Sequence, residues 1–163
     1  MEIMGKIRHI YHLIFITKGF KMSIPMNEKH ILLDRIKYLF TRRDCHVYAV
    51  DAFLNHVHIL VEIPQIDNFN KIINKVKGAT GALHTKYPEY TEYLAWTSGF
   101  DSFSVSFSNL CQVKQYIENQ QAIHQELSFE EEYRQLLEEN GFTMKASSPV
   151  SLPPINNPKD RNK

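Results

Sequence analysis

The amino-acid sequence predicts an α+β fold in which a four-stranded antiparallel sheet has helices on one face. Short runs of β-branched and aromatic residues alternate along the chain with segments whose apolar residues recur every three to four positions. Two of these runs are separated by a single turn residue, which indicates an antiparallel hairpin. The 163 residues are 43% hydrophobic and 23% charged, which is typical of one compact domain.

The first strand and the first helix are predicted in the segment before residue 43. Residues 9–18 are rich in β-branched and aromatic residues and end at Gly19, so they predict a strand. Asn27 is a suitable N-cap for the helix, and the pair Arg42 and Arg43 suits its C-terminal end. The apolar face of this helix consists of Ile31, Leu32, Ile36, Leu39 and Phe40.

The second and third strands are predicted at residues 46–54 and 56–64. Both segments are apolar runs, and little more than Asn55 separates them. Because asparagine is a common turn residue, the two segments predict a hairpin.

A second helix is predicted after Asp67 or Asn68, either of which can cap it. Lys71 and Lys75 lie together beside its apolar stripe, and the helix is expected to end near Pro88. The stripe consists of Phe69, Ile72, Ile73, Val76 and Leu83.

The fourth strand is predicted from alternation. Phe103, Val105 and Phe107 alternate with serines, as in a strand with one buried face. A segment containing aromatic residues and glycine, from Trp96 to Phe100, precedes it.

Two further helices complete the predicted fold. Ser108 or Asn109 begins the third helix, and Ser128 with Glu131 forms a capping box for a fourth that ends at Gly141. The packing face of the third helix consists of Leu110, Val113 and Ile117, and that of the fourth of Phe129, Tyr133, Leu136 and Leu137.

The order of these elements is that of a ferredoxin-like, or RRM-like, domain with additional C-terminal helices. Such a domain leaves one face of its sheet open for a ligand. We expect residues 1–146 to form this single domain and residues 147–163, which are rich in Pro, Ser and Asn, to form a flexible tail.

Charge and cysteine content restrict the possible classes of protein. The formal net charge is +1, so bulk charge alone does not favour strong binding to duplex DNA. No long apolar run predicts a membrane span, and no export signal is recognised at the N-terminus. Cys45 and Cys111 are too few for a disulfide framework, so we expect a cytoplasmic protein in which each is a buried thiol.

The histidine pair His56 and His58 is the first candidate for chemistry. Side chains alternate across a strand, so both imidazoles project from the same face of the sheet. They can bind one metal ion together, or they can simply cover a polar sheet face. The H-x-H spacing alone does not distinguish these two interpretations.

A tyrosine and a glutamine form the second candidate. Tyr116 and Gln120 are four residues apart in the third predicted helix and therefore share one face of it. Gln112 and Asn119 add to the polar character of this flank. The alternative interpretation is a solvated helix flank with an amphipathic tyrosine at its edge.

Four segments together resemble a known family. The segments are residues 11–18 (YHLIFITK), 56–62 (HVHILVE), 96–100 (WTSGF) and 113–120 (VKQYIENQ). In this order and with these gaps they resemble the single-tyrosine HUH transposases of small insertion sequences, which include the REP-associated tyrosine transposases. The resemblance extends from about Ile10 to about Gly141.

The resemblance implies a role for each of these residues. His56 and His58 would be the two histidines of the HUH motif, Gln120 the third metal ligand and Tyr116 the nucleophile. The family binds Mg²⁺ or Mn²⁺ and cuts single-stranded DNA beside hairpins. It works as a dimer, often with the tyrosine helix of one subunit serving the metal site of the other. Many members have Asp where this chain has Asn55, a common variant.

Some neighbouring residues are candidates for DNA binding. Trp96 and Phe100 can stack on unpaired bases, or they can pack in the core. The candidates for contacts to phosphates are Lys71, Lys75, Arg42 and Arg43, and the alternative for each is an exposed helix charge.

Two further residues are weaker candidates. Glu62 is on the same strand face as the histidine pair and is either a ligand or proton acceptor, or a solvated carboxylate. His124 follows the tyrosine by eight residues, and we expect it to lie at the surface.

We therefore predict a bacterial DNA transposase that acts as a metal-dependent tyrosine nuclease and strand-transferase. One alternative is a non-catalytic single-stranded nucleic-acid-binding module, because the same sheet topology binds single strands. The sequence lacks the paired aromatic residues of the RRM signature, which disfavours this alternative. Another alternative is a metal-dependent hydrolase in which Tyr116 only binds the substrate.

Overall fold

The computed structural model describes residues 5–64 and 66–143. These residues form two compact units, one that ends at Ile123 and one that begins at His124. The predicted single domain of residues 1–146 stays a prediction, and the predicted tail, residues 147–163, lies outside the described residues.

The first unit contains a four-stranded antiparallel sheet. Its order is β2-β3-β1-β4, so the first strand lies between the third and the fourth. This topology confirms the predicted α+β, ferredoxin-like fold. The strands are β1 (Ile10–Ile16), β2 (His46–Phe53), β3 (His56–Glu62) and β4 (Asp101–Ser104).

Helices lie between the strands except within the β2–β3 hairpin, and further helices follow the last strand. In the order of the chain they are α1 (Lys29–Thr41), α2 (Phe69–Thr80), α3 (Leu83–Lys86), α4 (Leu110–Glu118), α5 (Gln120–Glu126) and α6 (Phe129–Glu139). Among the described residues, no helix has the length and apolar character needed to cross a membrane.

The two faces of the sheet are buried in different ways. On one face, Leu13 and Phe15 of β1 belong to the main core, which also includes apolar residues of α1 and α2. On the other face, Ile10, Leu60 and Ile117 form a smaller apolar cluster beneath α4. The face that the sequence analysis left open for a ligand is therefore partly covered by α4, because β1 and β3 also carry apolar residues there.

Several helix boundaries differ from the predicted ones. The first helix has Glu28, not Asn27, at its N-cap. The second predicted helix does not continue to Pro88, because the backbone is extended at Gly81 and left-handed at Ala82, with φ of 53°. Leu83, predicted on the stripe of α2, is therefore buried from the separate helix α3.

The fourth strand is shorter than predicted. The backbone N–H of Val105 still donates to the carbonyl of Ile10 at 2.8 Å, but Ile10 is the first residue of β1, so pairing ends there. Phe107 is instead 61% exposed, and the guanidinium of Arg8 lies 4.5 Å from the centre of its ring.

The second unit contains α6, whose start confirms the predicted capping box. Ser128 accepts from the backbone of Glu131, and the Glu131 side chain accepts from the backbone of Ser128. The hydrogen bonds that the Glu131 carboxylate accepts from the backbone N–H and the hydroxyl of Ser128 lower its pKa. The prediction that His124 lies at the surface is wrong. Its side chain is 2% exposed, and its Nε2 lies 2.7 Å from the carboxylate of Glu132 in the same unit.

The two cysteines differ, so the prediction of two buried thiols holds for one of them only. Cys45 is buried, but Cys111 is exposed on α4. Burial, together with the charge of Asp44, raises the pKa of the Cys45 thiol to about 11.

We expect one fast-reacting thiol per folded chain at pH 8, because only the thiolate reacts and Cys45 stays protonated there. Titration with a thiol reagent that releases a chromophore measures this, and the Cys111→Ser variant should have no fast thiol. Rapid labelling that peptide mapping assigns to Cys45 in the folded protein would contradict the structure.

Candidate metal and nucleophile site

His56 and His58 lie side by side on the face of the sheet that α4 covers. They are paired with Ile16 and Ile14 of β1, and both are fully buried. Their ring centres are 5.0 Å apart and their planes are nearly perpendicular. A ring nitrogen of His56 lies within 4.8 Å of a ring nitrogen of His58. The two imidazoles therefore project from the same face of the sheet, as predicted from the H-x-H spacing.

His56 is oriented by two amide side chains. Its Nδ1 lies 2.9 Å from Oδ1 of Asn55, and its Nε2 lies 3.3 Å from Oε1 of Gln120. An amide oxygen only accepts and a neutral imidazole has one N–H, so only one of these two contacts is a hydrogen bond. The shorter contact favours the tautomer in which Nδ1 carries the proton and donates it to Asn55. In this tautomer Nε2 and the Gln120 oxygen present lone pairs to each other, an arrangement that a shared cation satisfies.

Gln120 does not lie in the same helix as the tyrosine, contrary to the prediction. The helix ends at Glu118, Asn119 leaves the helical conformation, and Gln120 begins α5 fully buried. The break still places the amide of Gln120 against His56. Of the predicted polar flank, Gln112 and Asn119 are exposed, whereas Tyr116 is half-buried and Gln120 is buried.

Tyr116 lies beside the histidine pair of its own chain. It is half-buried on α4, and its ring centre is 5.8 Å from that of His58. The structure therefore brings together Tyr116, Gln120 and both histidines, the four residues that the sequence analysis selected.

His12 and Asn55 were not among the predicted site residues. His12 is 4% exposed, its Nε2 lies 2.8 Å from Nδ1 of His58, and its ring centre is 6.2 Å from that of Tyr116. A histidine within an apolar strand was a visible signal. Its partner was not, because only the register of β1 against β3 places it next to His58.

The donor set fits a divalent cation. Two ligand atoms that are each about 2.1 Å from an ion, at right angles to each other, are about 3 Å apart. The distance from His56 Nε2 to Gln120 Oε1 is close to this value, at 3.3 Å. Amide oxygens suit Mg²⁺ and Mn²⁺, whereas imidazole nitrogens suit the transition metals. We therefore expect Mn²⁺ to bind more tightly than Mg²⁺.

Glu62 lies away from this cluster, at the other end of β3. Its carboxylate is 2.8 Å from Nε of Arg8 and accepts a hydrogen bond from the hydroxyl of Tyr48 at 3.2 Å. Burial and this hydrogen bond to Glu62 raise the pKa of Tyr48. Glu62 is thus part of an ion pair at the C-terminal end of the inner strand β3.

Trp96 and Phe100 are partly buried on the opposite face, against the main core. The indole N–H of Trp96 donates to Oγ1 of Thr80 at 2.9 Å, and its ring packs against Phe15 with 5.6 Å between centres. Phe100 packs against Phe69 at 6.0 Å. These contacts agree with core packing, and stacking on bases by either residue stays a prediction.

Three of the four predicted phosphate contacts lie together. Arg43, Lys71 and Lys75 line a cavity of about 250 Å³ between the end of α1 and the start of α2. Arg42 is not among its lining residues and lies over the ring of Tyr38 instead, 5.7 Å from its centre. Asp44 also lines the cavity, which therefore presents three positive charges and one negative charge on the helical side of the sheet.

Comparison with known proteins assigns the chain to a class. A family model described as "Transposase IS200 like" matches residues 6–120, about 70% of the chain. The sheet, with its histidine pair and facing tyrosine helix, is thus that of a transposase. The chain belongs to the IS200-like transposase family.

Solved structures provide two further similarities. A protein described as a "putative transposase" from Deinococcus radiodurans R1 is 25% identical, with a TM-score of 0.49, over 74% of this chain and 97% of that one. A REP-associated tyrosine transposase bound to a REP hairpin is 12% identical, with a TM-score of 0.47, over 76% and 74%. No curated protein matches the chain.

Proposed function

We propose that this transposase is a metal-dependent tyrosine endonuclease and strand-transferase that acts on single-stranded DNA beside hairpins. One observation supports the proposal above all others. The Tyr116 ring, the two imidazoles of His56 and His58 and the amide of Gln120 lie together on one face of one sheet in one chain.

Tyr116 is suited to be the nucleophile. A phenol with a pKa near 10 is mostly protonated at neutral pH, so its attack on a phosphodiester needs compensating positive charge. The Tyr116 oxygen forms a bond to phosphorus while the bond from phosphorus to the 3′-oxygen breaks, which leaves a 5′-phosphotyrosine and a free 3′-hydroxyl. The reverse attack by another 3′-hydroxyl joins strands without ATP.

His56, His58 and Gln120 would hold the divalent cation, Mg²⁺ or Mn²⁺. When bound, the cation supplies charge that polarises the phosphate and stabilises the departing oxygen. The ligand set of two neutral imidazoles and an amide adds no negative charge. It therefore leaves the cation able to attract phosphate oxygens.

Cleavage of defined oligonucleotides tests this function. We expect the protein with Mn²⁺ to cut a labelled single strand beside a hairpin and to leave the fully duplex form of the same sequence intact. Chelation of the metal should stop the reaction. Binding of the hairpin strand without cleavage, over a panel of hairpin sequences and with added Mn²⁺, would favour the non-catalytic binding module instead.

We further propose a homodimer in which Tyr116 serves the metal site of its own chain, as its contact with His58 supports. Mixing two inactive variants, Tyr116→Phe and His58→Ala, tests this. An arrangement within one chain predicts that the mixture stays inactive, because every chain lacks one essential group. An arrangement between chains predicts that mixed dimers regain activity, and this result would contradict the cis assignment.

The basic cavity supports a role for Lys71 and Lys75 in DNA binding. Removing both lysines should make the negative slope of log affinity against log salt concentration less steep by about 1.4, since each phosphate contact to a single strand contributes about 0.7. Fluorescence anisotropy at several salt concentrations measures this slope. The matched control Lys37→Ala/Lys86→Ala removes the same charge from exposed positions outside the cavity. Equal slopes for the two double variants would contradict the assignment.

A further inference from the structure

His12 and His58 form a buried pair across two strands. In the register of β1 against β3, Ile14 is opposite His58 and His12 is opposite Leu60. The two histidines are therefore diagonal neighbours on one face, where long side chains can meet. Nε2 of His12 lies 2.8 Å from Nδ1 of His58, and both side chains are at most 4% exposed.

A hydrogen bond between two neutral imidazoles has two possible directions. If His12 donates, the proton of His58 is on Nε2, and this nitrogen has no lone pair for a metal ion. If His58 donates from Nδ1, its Nε2 keeps the lone pair. Only the second direction is compatible with His58 as a ligand, because its other nitrogen faces His12.

We propose that His12 is a positioning residue that accepts the Nδ1 proton of His58 and so holds the metal-binding tautomer and the ring orientation. This inference rests on the proposed function, in which His58 is a metal ligand. The hydrogen bond matches the one that Asn55 makes with His56, where an amide oxygen accepts from Nδ1 at 2.9 Å. Each of the two histidines thus has its own acceptor behind it.

The surroundings of His12 make a role in packing alone the main alternative. Its ring lies against those of Phe103 and Tyr116, with centres 6.1 and 6.2 Å away. If His12 only packs, the His12→Phe variant should behave like the wild type, because phenylalanine fills the same space with an apolar ring. If His12 positions His58, the His12→Gln variant should still do so, because the end of a glutamine side chain reaches about as far as Nε2 and its amide oxygen can accept the same hydrogen bond.

Long-range ¹H–¹⁵N NMR of the metal-free protein at pH 8 measures the tautomer directly. We expect His58 to carry its proton on Nδ1 in the wild type and in His12→Gln, and to populate both tautomers in His12→Phe. The exchange His46→Phe on the exposed end of β2 is the matched control and should leave His58 unchanged. A wild-type His58 protonated on Nε2, or no change in His12→Phe, would overturn the proposal.

Binding of Mn²⁺ without DNA gives a second readout. Loss of an outer hydrogen-bond partner typically weakens metal binding by about 10- to 100-fold, so we expect this loss in His12→Phe and recovery in His12→Gln. Unchanged Mn²⁺ affinity in His12→Phe would also overturn the positioning role. If His58→Ala binds Mn²⁺ as well as the wild type, the proposed metal site fails instead, whereas the NMR result still reports on the hydrogen bond.

Discussion

Replacing Tyr116 by phenylalanine is expected to lower the rate of DNA cleavage by at least about 10³-fold, the scale typical for loss of a catalytic nucleophile. The exchange removes one oxygen atom and keeps the ring that packs beside His58. The variant should therefore fold and bind the hairpin strand with nearly unchanged affinity. Single-turnover cleavage of a labelled hairpin oligonucleotide, with anisotropy on the same DNA, measures both quantities.

The matched control for this experiment is Tyr93→Phe. Tyr93 is 58% exposed and lies against His84, outside the cluster. Its variant should cleave at the wild-type rate. If Tyr116→Phe cleaves as fast as this control, water or another group is the nucleophile, and the metal-dependent hydrolase becomes the better description.

The second large effect is expected from the histidine pair. Loss of a residue that only orients a ligand weakens metal binding by up to about 100-fold, so His56→Ala and His58→Ala should each weaken Mn²⁺ binding by more than this. DNA cleavage should be lost together with the metal. Binding of DNA should change little, because the basic cavity lies on the other side of the sheet. Calorimetric titration of Mn²⁺ into the protein without DNA measures the affinity.

Both histidines are fully buried, so their variants need a check on folding. Thermal unfolding of each variant provides it, and His46→Ala on the exposed part of β2 is the control for loss of an imidazole. Folded His56→Ala or His58→Ala protein that binds Mn²⁺ and cleaves like the wild type would contradict the proposed ligand set.

The pattern of the chain was sufficient to predict the fold because its strongest signals are local. A run of β-branched and aromatic residues predicted β1, the hairpin around Asn55 predicted β2 and β3, and the pair Ser128 and Glu131 predicted the start of α6. Each of these signals depends on residues a few positions apart. Competing contacts elsewhere in the fold did not override them.

The details that failed depend on partners that are distant in the sequence. Phe107 alternates correctly but leaves the sheet because β1 begins at Ile10 and offers no further partner. The His124 side chain is buried and contacts Glu132, which a helical spacing from Tyr116 does not show. The helix ends at Glu118, before Gln120, without a proline or glycine that would predict this end from the sequence.

The sequence predicted the four main residues of the candidate site but not His12, which contacts one of them. His56 and His58 share a face by strand geometry alone, and the resemblance supplied Tyr116 and Gln120. The contact between His12 and His58 requires the register of two strands that are more than forty residues apart in the chain. Residues that orient a ligand are therefore harder to find from a single sequence than the ligands themselves.

Mass spectrometry of the trapped complex tests the central claim most directly. The wild-type protein is incubated with a hairpin oligonucleotide and Mn²⁺, denatured and digested, and the modified peptide is sequenced. We predict a covalent adduct with the mass of the downstream DNA fragment, attached to Tyr116 through its 5′-phosphate. Cleavage of the DNA without any adduct, or an adduct on another residue, would contradict the account.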